Sequence, residues 1–105
     1  MQTLFNKLTY WQETTFRKAT AESKIHHLRE EVEELLESVK REDKDRRLEY
    51  ADCFMLLFGA ASYDGMTLDD IESAIWEKLH INQKRKWGKP DENGVVNHVE
   101  NQTRN

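Results

Sequence analysis

Two pairs of carboxylates on consecutive predicted helices are the residues whose types and spacing suggest chemistry. Glu31 and Glu34 form the first pair, and Glu49 and Asp52 form the second. Within each pair the i, i+3 spacing places both side chains on one side of a helix. Carboxylate oxygens are preferred ligands of hard divalent ions such as Mg²⁺ and Mn²⁺. The two pairs together predict a site for divalent metal ions.

The first pair is distinguished from neighbouring glutamates by its position relative to the apolar residues of its helix. An apolar stripe at helical spacing comprises Leu28, Val32, Leu35 and Val39. Glu31 and Glu34 border this stripe, so we expect them to lie at the edge of the core. The glutamates on the opposite side, which we expect to be solvated, are Glu30, Glu33 and Glu37.

The second pair opens a markedly apolar segment. Asp52 is the only charged residue between Tyr50 and Tyr63. A helix that is apolar all round is expected to be buried, and a buried carboxylate needs a cation, a hydrogen-bond network or a proton. A metal ion would meet this need. The alternative is a structural ion pair with Arg46 or Arg47.

Composition limits the classes of protein that the chain can represent. Its 105 residues, 37% hydrophobic and 34% charged, predict one domain over 1–105 with a modest core, so assembly with further copies is plausible. The net charge of −4 argues against a nucleic-acid binder. No apolar run is long enough to span a membrane, and the lone Cys53, predicted to be a buried apolar residue, favours a cytoplasmic location.

Hydrophobic periodicity predicts an all-α chain with four helices and a short irregular C-terminal tail. The predicted helices run from Gln2 to about Arg17, from Lys24 to about Val39, from about Leu48 to Tyr63, and from about Leu68 to Lys84. The charged connection at 40–47 would let the second and third helices fold back as a hairpin and bring the carboxylate pairs together. We expect residues from about 100 to 105 to be disordered.

Aromatic and cationic residues elsewhere suggest contacts to a ligand. Trp11 and Phe16 belong to the first predicted helix and are suited either to the core or to stacking on a base. On the fourth helix, Lys78, Asn82 and Arg85 continue one face. They are either solvated residues near the helix C-terminus or an anion pocket for phosphate oxygens.

The chain resembles the MazG-like all-α nucleoside triphosphate pyrophosphohydrolases. The resemblance rests on the spacing of the two carboxylate pairs, which are separated by fourteen residues, and on four segments: WQETTF, HLREEVEEL, EYADCFMLL and KLHINQKRKWGKP. These segments are similar to a phage-associated dATP/dGTP diphosphohydrolase subgroup, which includes the MazZ proteins of phages that replace adenine with 2-aminoadenine. One departure is Glu33, where many relatives have a small residue.

The resemblance implies a four-helix bundle completed by homo-oligomerisation, as a homodimer or a homotetramer. It implies metal-dependent hydrolysis of a deoxynucleoside triphosphate, foremost dGTP and also dATP, to the monophosphate and pyrophosphate by a water activated by metal. Glu31, Glu34, Glu49 and Asp52 would then hold two or three Mg²⁺ or Mn²⁺ ions. The phosphates or sugar would contact Lys78, Asn82 and Arg85. Of the carboxylates, Glu34 is our preferred base.

Other functions remain open at this point. A dUTP or dCTP pyrophosphatase of the same family would keep the metal site and change the base pocket, since base selection depends on a few hydrogen bonds. A non-catalytic helical interaction module would account for the acidic helices but gives no reason for Asp52 in an apolar segment. If the chain is encoded by a phage, the expected location is the cytoplasm of the bacterial host.

Overall fold

Four α-helices make up the computed structural model, which describes residues 1–99. They are α1 (Gln2–Thr15), α2 (Ala21–Lys40), α3 (Arg46–Tyr63) and α4 (Leu68–Lys84). The all-α prediction is confirmed, and the predicted helix ends lie within three residues of the observed ones. Among the helices of the described chain, none combines the length and the apolar composition that crossing a bilayer requires.

Local capping sequences set several of the helix ends. At the start of α2, Thr20 Oγ1 accepts a hydrogen bond from Ser23 N (3.0 Å), and Ser23 Oγ accepts one from Thr20 N (2.9 Å). Thr67 and Asp70 make the same reciprocal pair before α4, at 3.1 and 2.9 Å. After α3, Gly65 has a φ of 89°, the left-handed conformation that glycine adopts readily at a helix C-terminus.

The chain divides into two compact units, Met1–Ile71 and Glu72–Asn105. In the first unit α2 and α3 pack together as the predicted helical hairpin, and α1 packs on α3. The connection between α2 and α3 contains an ion pair from Arg41 to Asp43 (3.1 Å). The boundary between the units lies within α4, and one domain over 1–105 stays a prediction.

The buried face of α1 is shifted from the predicted face by about one position along the chain. Sequence spacing favours a face through Leu4, Leu8, Trp11 and Thr15; Leu8 is buried, but the other three side chains are exposed. The buried residues of this helix are Phe5, Leu8 and Gln12. The ring of Phe5 packs edge-on against Phe58 of α3, with the ring centroids 5.9 Å apart. This aromatic contact orients the helix.

The inner stripe of α2 also differs from the predicted one. Val32 and Val39, predicted to face the core, are exposed. Two of the residues that replace them at the packed face are charged or polar and buried: Lys24 and Ser38. The inner stripe therefore comprises Lys24, Leu28, Glu31, Leu35 and Ser38, with alternating spacings of four and three residues. Packing against α3 selects this stripe over the more apolar one.

One face of α3 is uncovered in the described residues, so the prediction of a helix buried all round is wrong for the single chain. Phe54 is 59% exposed and Leu57 is 50% exposed, and Asp52 is exposed as well. The buried residues of α3 are Gly59 and Ala60. The physical reason is that α1 and α2 together cover only part of this helix.

The second unit consists of most of α4 and an irregular segment after it. Ile75 of α4 is 62% exposed. The segment after α4 folds back on itself: Gly88 N donates to Asn97 O (2.8 Å) and Val99 N donates to Lys86 O (2.7 Å). These bonds lie within the irregular C-terminal tail that the sequence predicts, and Val95, Val96 and Val99 of this tail are exposed. The predicted disorder at 100–105 lies outside the described residues.

Candidate metal centre

Three of the four predicted metal ligands meet in the first unit. Glu31 of α2 and Glu49 and Asp52 of α3 each offer a carboxylate oxygen, and these oxygens lie within 4.8 Å of one another. The helical hairpin brings them together, because α2 packs against α3 and the three carboxylates lie along this contact or at its edge. Three acceptor-only groups at this separation are suited to hold a hard divalent cation.

Glu34, the fourth predicted ligand, lies beside the cluster and is exposed. Burial raises the pKa of the Glu31 carboxyl, and so do a hydrogen bond to Glu34 and repulsion from Glu34 and Asp52. His27 opposes this rise in the pKa, with its Nε2 atom 3.3 Å from Glu31 Oε1. The crowded negative charge is what a bound cation would relieve.

The neighbours of Asp52 agree with a ligand role. None of the ion pairs within residues 1–99 joins Asp52 to Arg46 or Arg47, the structural alternative considered from the sequence. The adjacent Cys53 is partly buried, and burial raises the pKa of its thiol, as do the charges of Glu31, Asp52 and Glu49. A protonated thiol in this position behaves as a small apolar side chain, although Cys53 is less buried than predicted.

An acidic groove of about 480 Å³ adjoins the cluster on the side of Glu34. Its lining includes Glu33, the residue that departs from the family pattern, together with Glu34, Glu37 and Glu49. Arg41 is the cation in the lining. Glu33 therefore shares a groove with two of the predicted ligands, although spacing predicted only a solvated residue there.

A second cavity, of about 410 Å³, extends from the cluster along α2. Glu31 and Asp52 line it together with both predicted base-stacking residues, Trp11 and Phe16. The two rings meet edge-on, with their centroids 5.5 Å apart. The remaining lining residues are Gln12, Ala19, Ser23, Lys24, His27, Met55 and Leu56. Carboxylates and aromatic rings thus share one cavity.

Sequence reasoning missed two polar residues of this cavity. Gln12 is 3% exposed, and its Nε2 atom donates to Met55 O at 2.9 Å. Lys24 is 4% exposed, and its Nζ atom lies 5.5 Å from the ring centroid of Phe16 and 5.2 Å from that of Tyr63. The signal that could have identified Lys24 is its spacing of four and seven residues from Leu28 and Glu31 on the inner stripe.

The predicted phosphate-binding residues belong to the second unit. Lys78 is exposed on α4. Asn82 Oδ1 accepts a hydrogen bond from Arg85 Nη1 at 3.3 Å, and Asn82 O accepts one from Trp87 Nε1 at 3.0 Å. These bonds hold Asn82 and Arg85 next to each other, as their i, i+3 spacing predicts.

Carboxylates that face one another across a helical hairpin are the arrangement expected of an all-α, MazG-like pyrophosphohydrolase. A family model, dATP/dGTP pyrophosphohydrolase, matches residues 4–105, and the chain belongs to this family. The chain is accordingly an enzyme, a nucleoside triphosphate pyrophosphohydrolase, and its substrate is a nucleotide.

A solved structure supports the same assignment. It is the cyanophage S-2L MazG-like pyrophosphohydrolase, bound to dGDP and three catalytic Mn²⁺ ions per active site. The sequences are 31% identical over 93% of this chain and 95% of that chain, with a TM-score of 0.77. Among curated protein sequences, none matches this chain significantly.

Proposed function

We propose that this enzyme hydrolyses dGTP, and also dATP, to the monophosphate and pyrophosphate. The observation that carries the proposal is the cavity that joins the carboxylates Glu31 and Asp52 to the aromatic rings of Trp11 and Phe16. Such a cavity offers a place for the phosphates at one end and for the base at the other. The family and the dGDP-bound relative support a purine substrate.

Glu31, Glu49 and Asp52 would hold Mg²⁺ or Mn²⁺, with Glu34 completing a site for two or three ions. The donor set fits such ions, because the oxygens are hard ligands within 4.8 Å of one another, and the pKa of Glu31 is raised by burial and by the neighbouring carboxylates. When bound, the ions supply positive charge against the phosphates and lower the pKa of the attacking water.

Glu34 is the carboxylate that we assign as general base. It is exposed and adjoins Glu31, so it can accept the proton of the water as the water oxygen bonds to the α-phosphorus. The bond from the α-phosphorus to the bridging oxygen then breaks, and pyrophosphate leaves. Glu31, with His27 beside its Oε1 atom, is held in orientation within the cluster.

The remaining substrate contacts come from aromatic and cationic side chains. Trp11 and Phe16 provide apolar surfaces for the base. Lys78, Asn82 and Arg85 would contact the phosphates or the sugar, and the bond from Arg85 to Asn82 would orient the guanidinium. Replacing Arg85 by alanine should raise KM without weakening Mn²⁺ binding.

A homodimer or homotetramer would cover the exposed face of α3. Phe54 and Leu57 lie on that face, and exposed apolar side chains of this size on one helix are typical of a surface that packs against another chain. Sedimentation equilibrium would give the number of copies. A purine triphosphatase of this kind would serve to remodel the nucleotide pool of a phage that incorporates 2-aminoadenine.

The test is a product assay. Purified enzyme is incubated with dGTP, dATP, dUTP or dCTP, in Mn²⁺ or Mg²⁺ and in EDTA, and chromatography separates the products. We expect metal-dependent release of dGMP, dAMP and pyrophosphate. Asp52→Asn should lower kcat at least about 100-fold, since a metal ligand is lost. Glu30→Gln, a matched loss of charge on the exposed side of α2, should leave kcat unchanged.

Three outcomes would contradict parts of the proposal. Cleavage confined to dUTP or dCTP would keep the metal site and refute the purine assignment. A fully active Asp52→Asn enzyme would refute the metal site. Absence of cleavage of any nucleotide would favour a helical interaction module, and calorimetry without Mn²⁺ binding would agree with it.

A further inference from the structure

Lys24 carries a buried positive charge without an anionic partner in the part of the chain that the structure describes. Its side chain is 4% exposed, and the ion pairs within residues 1–99 do not include it. Its Nζ atom lies 5.5 and 5.2 Å from the ring centroids of Phe16 and Tyr63. The rings offset part of the cost of burial but accept no conventional hydrogen bond. An acceptor from a ligand would complete its surroundings.

Lys24 lines the cavity about two helical turns before Glu31, where the phosphates are proposed to bind. Lys24 and Glu31 lie on the same stripe of α2, and both line the cavity. Seven residues of α-helix separate them by about 10 Å along the axis. This separation is comparable with the span of a nucleotide from its α-phosphate to the far edge of its base. With the α-phosphate at the carboxylates, the edge of the base would reach Lys24.

The chemistry of an ammonium group determines which edge it can contact. Lysine offers three donors and no acceptor. At position 6 of the purine ring, guanine and hypoxanthine present the acceptor O6, whereas adenine and 2-aminoadenine present an amino donor. We propose that Lys24 donates a hydrogen bond to O6 and makes the enzyme favour 6-oxopurine over 6-aminopurine deoxynucleotides. This inference rests on the proposed function.

The surroundings of Lys24 favour a contact to the base over a contact to phosphate. Trp11 and Phe16 line the cavity at this end, and aromatic rings stack on bases. Met55 and Leu56 line the cavity as well, and carbon surfaces of this kind suit a base better than a phosphate. Burial also lowers the pKa of the Lys24 ammonium, which reflects its dry environment.

Four triphosphates separate the contribution of O6 from that of the 2-amino group. dGTP and dITP carry O6 with and without the 2-amino group, and 2-amino-dATP and dATP carry a 6-amino group in the same two forms. In Mn²⁺, Lys24→Met should lower kcat/KM about 10- to 100-fold for the first two, mainly through KM, and by less than about threefold for the others. Lys7→Met, at an exposed position, should change none of the four values.

Equilibrium binding provides a second measurement that does not depend on turnover. The affinity for dGMP in Mn²⁺ should fall with Lys24→Met, and the affinity for dAMP should not. Equal losses for all four triphosphates would indicate a phosphate contact and overturn the proposal, and so would unchanged kinetics. If Lys24→Met fails to fold, Lys24→Arg serves as the test, because it keeps a donor and should keep the preference for 6-oxopurines. Loss of that preference in Lys24→Arg would contradict the proposal. A wild-type enzyme that cleaves none of them would refute the proposed function itself.

Discussion

Gly59→Ala is expected to destabilise the enzyme, although helix propensity alone predicts the opposite. Gly59 is buried in α3, and a Cβ atom added there would overlap Oε1 of Gln12. The Gln12 side chain is itself fixed, because its Nε2 atom donates to Met55 O at 2.9 Å and the residue is 3% exposed. The added methyl group can be accommodated only if this amide moves.

The sign of the effect follows from comparing two magnitudes. Alanine in a helix interior is favoured over glycine by about 1 kcal/mol. Displacing Gln12 breaks a buried hydrogen bond and leaves the amide without a partner, which costs about 1–3 kcal/mol, and overpacking a filled core adds about 1–3 kcal/mol. We therefore expect a net loss of about 1–5 kcal/mol in the free energy of unfolding.

Urea unfolding at a fixed protein concentration measures this loss, and a double-mutant cycle tests its cause. In a Gln12→Ala background the obstructing amide is absent, so Gly59→Ala should become neutral or stabilising by about 1 kcal/mol. If Gly59→Ala in the otherwise wild-type chain unfolds at the same or a higher urea concentration, with an unchanged m-value, the close packing of Gln12 on Gly59 does not limit stability and the reasoning is wrong.

Three further predictions concern charge and capping. Glu31→Gln should abolish Mn²⁺ binding yet stabilise the metal-free protein in EDTA. The folded-state pKa of Glu31 is raised above 4.5, so wild type loses stability as pH rises from 4.5 through that pKa. In thermal melts, Glu31→Gln should therefore have a higher Tm than wild type at pH 7 but not below pH 4.5. Lys24→Met should also raise the free energy of unfolding at pH 7, because burial lowers the pKa of Lys24 from 10.5. Wild type regains stability as pH rises from the folded-state pKa to 10.5. The free energies of unfolding of the two proteins should therefore become equal near that pH. Thr20→Ala removes the oxygen that accepts from Ser23 N and should cost about 1 kcal/mol in urea unfolding.

Helix positions could be predicted because the signals that set them are local. The fourth helix begins where it was predicted, at Leu68, and the reciprocal hydrogen bonds of Thr67 and Asp70 cap it there. Gly65, with its positive φ, follows the predicted end of α3. The inward faces of α1 and α2 could not be predicted in the same way. They depend on which stripe packs against α3, and the contact of Phe5 with Phe58 joins residues far apart in the sequence.

The candidate site was predictable where residue type alone restricts the chemistry. Glu31, Glu49 and Asp52 were identified because carboxylates at i, i+3 on two helices have few purely structural explanations, and the structure gathers these three. Lys24 and Gln12 were missed for the converse reason. A lysine at the start of an acidic helix is usually solvated, and only three-dimensional packing reveals that it is buried between aromatic rings.

Two charged residues on the inner stripe of α2 lower the stability of the ligand-free protein and provide groups that can bind a ligand in the cavity. Glu31 and Lys24 occupy stripe positions that Val or Leu would fill in a protein selected for stability alone. Burial and neighbouring carboxylates raise the pKa of Glu31, and burial lowers the pKa of Lys24, so each charge is unfavourable in the ligand-free protein. Cations at the carboxylates and a hydrogen-bond acceptor at the amine would relieve both. We therefore expect metal and purine nucleotide together to raise the free energy of unfolding of this enzyme more than that of an enzyme with an uncharged cavity.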